Sequence, residues 1–215
     1  MTAVLPRVRR AGRAVVALAG CAFAGLATAA SAATSATIAT SATSVTAATG
    51  AWTVDPAASR FTFSATLSGG EFQGSFGTYT ADIVFDPADL AGSRFKVVVS
   101  TASARTGDAE RDTALVGPEF FATSQWNSAT WVADRFEAAG PGRWVAHGRL
   151  TLRGVTRNQD VAFTFAEQPV AGKARLAGTA LVRRLDYGIG QGDWQDTSVL
   201  ANEVRLSFDL VLQRE

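Results

Sequence analysis

Few side chains in this 215-residue chain have the types and spacing that chemistry requires; there is one histidine, His147, and one cysteine, Cys21. His147 falls out of phase with Leu150 and Leu152 in an alternating segment. That places it on a wet outer face, with no nucleophile beside it to activate. A single histidine and a single cysteine leave no ordinary zinc ligand set. Asp108, Glu110, Asp112 and Glu119 stand at the spacing of positions 1, 3, 5 and 12 of a calcium loop, but position 6 is Thr113 where the sharp turn needs glycine. The same acids suit the start of a short helix, where they oppose its dipole. Arg105 and Arg111 beside them point to a buried, salt-bridged corner. Gly188-Ile189-Gly190-Gln191-Gly192-Asp193 is rich in glycine. It lacks the strand-then-helix setting of a dinucleotide loop and the lysine of a phosphate loop, so it reads as a turn between strands. No catalytic residue, metal ligand or cofactor is assigned, and the chain is not expected to be an enzyme.

The resource that remains is aromatic: of 13 Phe, 5 Trp and 2 Tyr, all but Phe23 lie after residue 50. They sit in segments that alternate apolar with polar residues, the pattern of a sheet with one dry and one wet face. Phe61, Phe63, Ala65 and Leu67 share a face and are followed by a turn at Gly69-Gly70. Tyr79, Ala81, Ile83 and Phe85 share another, stopped by Asp86-Pro87; Phe95, Val97 and Val99 come next. Trp131 and Ala133 form a short run, and Trp144 to Leu152 a long one. Val161, Phe163 and Phe165 follow, then Leu176 to Val182, then Val204, Leu206, Phe208, Leu210 and Leu212. With the stretch around Phe72 and Phe76, these make eight or nine strands with short connections. The expected fold is all-β, an antiparallel barrel or sandwich. One segment departs: Asp108 caps and Gly117-Pro118 stops a helix, so a short helical insert over residues 108–122 is expected as a lid on one mouth. A barrel of about eight strands lies at the border between a filled interior and one with a ligand cavity. Small inward residues (Ala65, Ala81, Ala133, Ala146, Gly148) favour the cavity.

The front of the chain differs in kind. Residues 1–50 carry four arginines and no acid, whereas the rest carries about −3, too little basic charge for nucleic acid. Arg7 to Arg13, an apolar run from Ala14 to Leu26 and the small residues Ala30-Ser31-Ala32 read as a signal peptide over residues 1–32. Residues 33–50, rich in Ala, Thr and Ser, read as a linker, and residues 51–215 as one domain. The expected location is periplasmic or secreted. The alternative is a lipoprotein: Leu18-Ala19-Gly20-Cys21 is similar to a lipobox, which would anchor Cys21 in a membrane.

Seven segments follow in order along the domain: Trp52-Thr53-Val54-Asp55-Pro56-Ala57-Ala58-Ser59, Gly74-Ser75-Phe76, Phe85-Asp86-Pro87, Thr106-Gly107-Asp108 with Arg111-Asp112, Glu119-Phe120-Phe121, Gly148 to Thr156, and Arg184-Leu185-Asp186-Tyr187-Gly188-Ile189-Gly190. Through them the domain resembles the YceI-like family of bacterial exported proteins. Ala58 departs from it, standing where the family often has histidine, as does the turn Thr66–Gly70. The resemblance implies a lipocalin-like β-barrel whose apolar tunnel holds a polyisoprenoid lipid, an isoprenoid quinone or a polyprenyl derivative. On that implication Phe61, Phe63, Phe85, Val97, Trp131, Phe163, Phe165 and Phe208 are expected to line the tunnel, with Arg105 or Arg111 at the head group. Two rivals stand beside the carrier: a stress-linked or surface interaction module with a filled barrel, and an enzyme acting on an isoprenoid.

Overall fold

The computed structural model describes residues 50–215. The proposed signal peptide, the linker and Cys21 lie outside the described residues, apart from Gly50. Ten strands follow one another: β1 Ala51–Leu67, β2 Gly70–Phe76, β3 Tyr79–Val84, β4 Arg94–Ser100, β5 Ala104–Arg105, β6 Ser128–Ala138, β7 Arg143–Leu152, β8 Val155–Glu167, β9 Lys173–Arg183 and β10 Glu203–Arg214. Eight of them close a ring in the order β1-β10-β9-β8-β7-β6-β4-β3, with β3 returning to β1. All pairings are antiparallel. Closure leaves no edge among these eight, and β2 and β5 continue the sheet from the far half of β1 as a flap.

Local chemistry fixes the ring. Two-residue loops at Ser68-Gly69 and Arg153-Gly154 have positive φ at both positions (49°, 80° and 50°, 75°), the hairpin turn whose twist matches the strands. β1 is bulged: Asp55 faces Val211 and Arg60 faces Asp209, so Pro56 to Ser59 oppose Leu210 alone. Pro56 has no N–H for the ladder. The Asp55 carboxylate accepts from the Ala57 and Ala58 amides at 3.0 and 3.3 Å, and the Ser59 hydroxyl accepts from the Val211 amide at 2.9 Å. Past this bulge β1 has left β3, which it pairs only at Ala51 and Trp52, and pairs β2 instead. A second bulge at Asp134 shifts the inward set of β6 from Trp131 and Ala133 to Phe136. That shift breaks the alternation, so the sequence pattern shows only the short run at Trp131 and Ala133 although β6 pairs on to Ala138.

The insert is helix α1, Ala109–Val116, followed by turns to Gln125. Asp108 caps it, accepting from the Glu110 and Arg111 amides at 3.1 and 2.9 Å, so the first orphan donors are satisfied. The corner beside it differs from the buried salt bridges expected. Asp112 accepts from the Thr106 amide and hydroxyl at 2.6 and 2.8 Å, and these bonds hold its carboxyl below the usual carboxylate range. Arg111 meets Asp108 at 3.6 Å in a half-exposed pair, and Arg105 donates to the carbonyls of Ala102 and Ala104. The reason is geometric: β5 carries Arg105 along the flap, outside the ring. The acids do not gather: no group of three or more metal-ligating side chains occurs among the described residues.

Candidate functional site

The barrel interior divides along its axis. At one end, rings from β4, β6, β7 and β8 close on Phe85, which is 1% exposed. Phe85 follows the last residue of β3, and its amide donates to Gly50 O at 2.8 Å while its carbonyl accepts from Trp52 Nε1 at 3.0 Å. Held this way, its ring reaches Phe95, Phe136, Trp144, Phe163 and Phe165 at centroid distances of 5.0 to 5.8 Å. Several of these contacts are edge-on, the arrangement ring quadrupoles prefer.

Beyond Phe95 the same strands enclose a cavity of about 190 Å³. Ile83, Phe95, Leu176 and Leu210 belong both to the plug and to the cavity wall, so they are its floor. Phe61, Phe63, Phe76, Trp131, Leu206 and Phe208 stand on the sides. Leu115, Phe120, Phe121, Ile189 and Leu200 come from α1 and the loops as the cover. The volume is more than ten times the roughly 10–15 Å³ that one water needs, yet a water also needs polar partners, and this wall offers few. Small residues make the room: Ala65, Ala81, Ala129 and Ala180 line it. Gly148 lets Trp131 lie flat across β7, since a Cβ there would stand 2.7 Å from the indole. Trp131 Nε1 donates to Gln159 O at 2.9 Å, so its polar atom is satisfied within the sheet.

The cover is tied down by arginines. Arg153, at the β7–β8 turn, donates to Pro118 O and to Gly188 O, and its guanidinium lies over Trp126 at 5.5 Å. Gly190 and Gln191 donate to Glu119 O at 2.7 and 2.9 Å. The glycine-rich segment is the connection from β9 to β10, with two short 3-10 turns at Arg184–Tyr187 and Gly192–Gln195. Arg184, 2% exposed, borders the cavity and donates through Nε, Nη1 and Nη2 to the carbonyls of Ala201, Ile189 and Leu200 at 2.9, 2.9 and 2.5 Å. Burial draws its pKa down from the ordinary value, though a guanidinium remains charged at neutral pH. Tyr79 stands where β1 leaves β3 and lines both the cavity and a shallow groove along that seam. Burial raises its phenol, with the Ser59 hydroxyl working the other way.

Of the residues expected on the wall, Phe61, Phe63, Val97, Trp131 and Phe208 are there. Phe85, Phe163 and Phe165 are not; they form the plug, because their height along the axis puts them below the floor. Arg105 and Arg111 are not on the wall either: Arg105 lies on the flap, and Arg111 covers Phe72 from outside at 5.1 Å. Missed by sequence reasoning were Phe72, Phe76, Phe120, Phe121 and Arg184, all on the wall. All but Phe72 lie in the segments that carry the family resemblance, the one signal that could have found them. His147 is on the outer face as expected, between Glu137 at 3.4 Å and Asp160 at 3.0 Å.

Residues 52–212 match the YceI-like domain. Curated relatives include a UPF0312 protein of Vibrio vulnificus, 31% identical over 121 residues, 54% of this chain and 64% of that protein. Another, from Shewanella baltica, is 32% identical over 120 residues, 54% and 63% of the two. The matched stretch thus spans less than two thirds of those relatives. Among solved structures, BcnA of Burkholderia cenocepacia superposes with a TM-score of 0.70 at 28% identity, over 74% of this chain and 98% of that one. A polyisoprenoid binding domain from Saccharophagus degradans, implicated in plant cell wall breakdown, shares the fold with a TM-score of 0.61 at 18% identity, over 76% and 98%.

Proposed function

Since this chain belongs to the YceI-like family, we propose that its barrel binds a polyisoprenoid lipid, an isoprenoid quinone or a polyprenyl derivative, with the tail in the cavity. The observation that carries this reading is the cavity itself, apolar on its floor, sides and cover. The Saccharophagus domain that shares the fold is described as polyisoprenoid-binding, which supports the same ligand class. Burial supplies the affinity: at ~0.8 kcal/mol per carbon, each five-carbon unit contributes up to about 4 kcal/mol, and ordering the tail takes back a share. The branched methyls of such a tail suit a wall that alternates rings with alanines. Export belongs to the proposal, through the leader read at residues 1–32 or an anchor at Cys21.

The test is to express the full chain with its own leader, extract the purified protein with organic solvent and examine the extract by mass spectrometry. A polyprenyl compound in near-stoichiometric amount is expected. An extract without lipid, from a protein that also fails to take up geranylgeraniol after delipidation, would end the proposal.

A further inference from the structure

The wall of the barrel is interrupted beside the cavity. β1 pairs β3 at Ala51 and Trp52 and pairs β2 from Thr62 onward; between these points residues 53–61 face residues 76–82 with no backbone hydrogen bond. The bulge at Pro56 to Ser59 is the cause, since it draws β1 aside and Pro56 brings no N–H. The Phe85 amide donates to Gly50 O on the β1 side, and Thr78 O accepts from the Ser100 amide on the β4 side. By alternation, Tyr79 and Ala81 therefore turn their N–H and C=O into the gap. A stretch without ladder bonds opens more easily than one with them. β8 and β9 also part, past Ala162 and Thr179, but Arg157 spans that opening, donating to Asp186 O at 3.2 Å. The mouth is tied by Arg153 and by the Glu119 carbonyl.

Across the gap between β1 and β3 stands one large side chain. Tyr79, Ala81 and Ile83 border the cavity on one side and a groove of about 600 Å³ on the other, whose opposite bank is Trp52, Val54 and Pro56. Ala81 is small and Ile83 is fixed in the floor, so Tyr79 is the part of this partition that can move. It is half-buried, with its ring 5.9 Å from that of Phe61. Its hydroxyl is buried and completes no hydrogen bond, while the Ser59 hydroxyl beside it accepts from the Val211 amide. Turning this ring outward breaks no completed polar contact, whereas lifting the cover breaks several.

We propose that the gap between β1 and β3 is a side entrance to the cavity, with Tyr79 as its gate and the groove as the vestibule where a lipid chain lies before it enters. This rests on the tail-in-cavity reading above and adds the route to it.

The experiment mixes the delipidated full chain with dioleoylphosphatidylcholine vesicles holding geranylgeraniol, and reads uptake and release by stopped-flow tryptophan fluorescence. Tyr79→Ala is expected to speed both about tenfold, since a gate lies on the path in both directions. Unchanged rates, or faster release with unchanged uptake, would make Tyr79 a wall contact alone and overturn the proposal. Thr80 is exposed and lines the groove. Thr80→Cys carrying a bulky maleimide should slow both rates about tenfold, and it serves as the test should Tyr79→Ala fail to fold. The same adduct on Thr197→Cys, exposed in the β9–β10 connection, should leave both rates as they are; wild-type protein treated alike controls for Cys21. Rates indifferent to the Thr80 adduct, or slowed instead from Thr197, place the entrance at the mouth and overturn the proposal while the lipid reading stands. A wild-type chain that takes up no geranylgeraniol overturns both.

Discussion

The closed end and the hollow end of the barrel are built from the same strands and nearly the same residue types, yet one is solid and the other is not. At the closed end Phe85 leaves its strand and puts a ring on the axis, where five other rings surround it. At the hollow end Phe61, Phe63, Phe76 and Tyr79 pack side by side along the wall, at centroid distances of 5.1 to 5.9 Å, and alanines stand between the strands that carry them. An eight-strand ring is just wide enough to be filled by its own side chains. Whether it fills depends on whether a residue is held across the middle, and here the Gly50–Phe85 hydrogen bond holds one at a single end.

The largest expected difference between the ends is in stability. Phe85→Ala should cost about 3–5 kcal/mol in urea denaturation, because the plug cannot collapse around the loss. Leu206→Ala, on the cavity wall, should cost less than about 2 kcal/mol, because one side of that leucine already lacks packed partners. Equal losses would break the distinction between the ends. Next comes Gly148→Ala, whose methyl would force Trp131 off the wall; thermal unfolding should report a loss of about 1–3 kcal/mol. A wild-type transition would show that the indole is free to move. Filling the hollow end sharpens the contrast from the other side. Ala180→Phe should lower geranylgeraniol uptake at least about tenfold, about 1.4 kcal/mol, while the protein stays folded. Unchanged uptake would place the lipid elsewhere.

The smallest effect concerns the cover. Asp112 is held below its ordinary value by the Thr106 hydroxyl and amide bonds. A carboxylate lowered in the folded state stabilises fully above the unfolded Asp value of about 3.9, and that contribution fades as pH falls through the lower, folded value. The Thr106 amide signal should therefore begin to move below about pH 4, and in Asp112→Asn that movement should be absent. A variant that titrates like the wild type would assign the acid response to another group.

Much of this was readable from local chemistry. Asp108 followed by acids and closed by Gly117-Pro118 marks α1 because capping acts within one turn. Phe61, Phe63 and Ala65 reveal their inward face through alternation alone. The bulge at Asp134 was hidden, since one extra residue reverses the alternation that would disclose it. Phe163 and Phe208 look alike in sequence, and both face inward, yet one is plug and the other wall.

The sequence by itself determined an all-β antiparallel fold, its hairpins, its capped helix and the dry side of most strands, because each of these is set by neighbours along the chain; the choice of a barrel over a sandwich came from the family resemblance, since closure pairs β1 with β10 and β3 across the chain. Tertiary structure alone decided how far along the axis each dry residue lies, that Phe85 crosses the middle, and that Arg184 is buried against backbone carbonyls with no acid paired to it among the described residues. Those depend on register between strands distant in sequence and on loops folding over the mouth, and no local pattern encodes either.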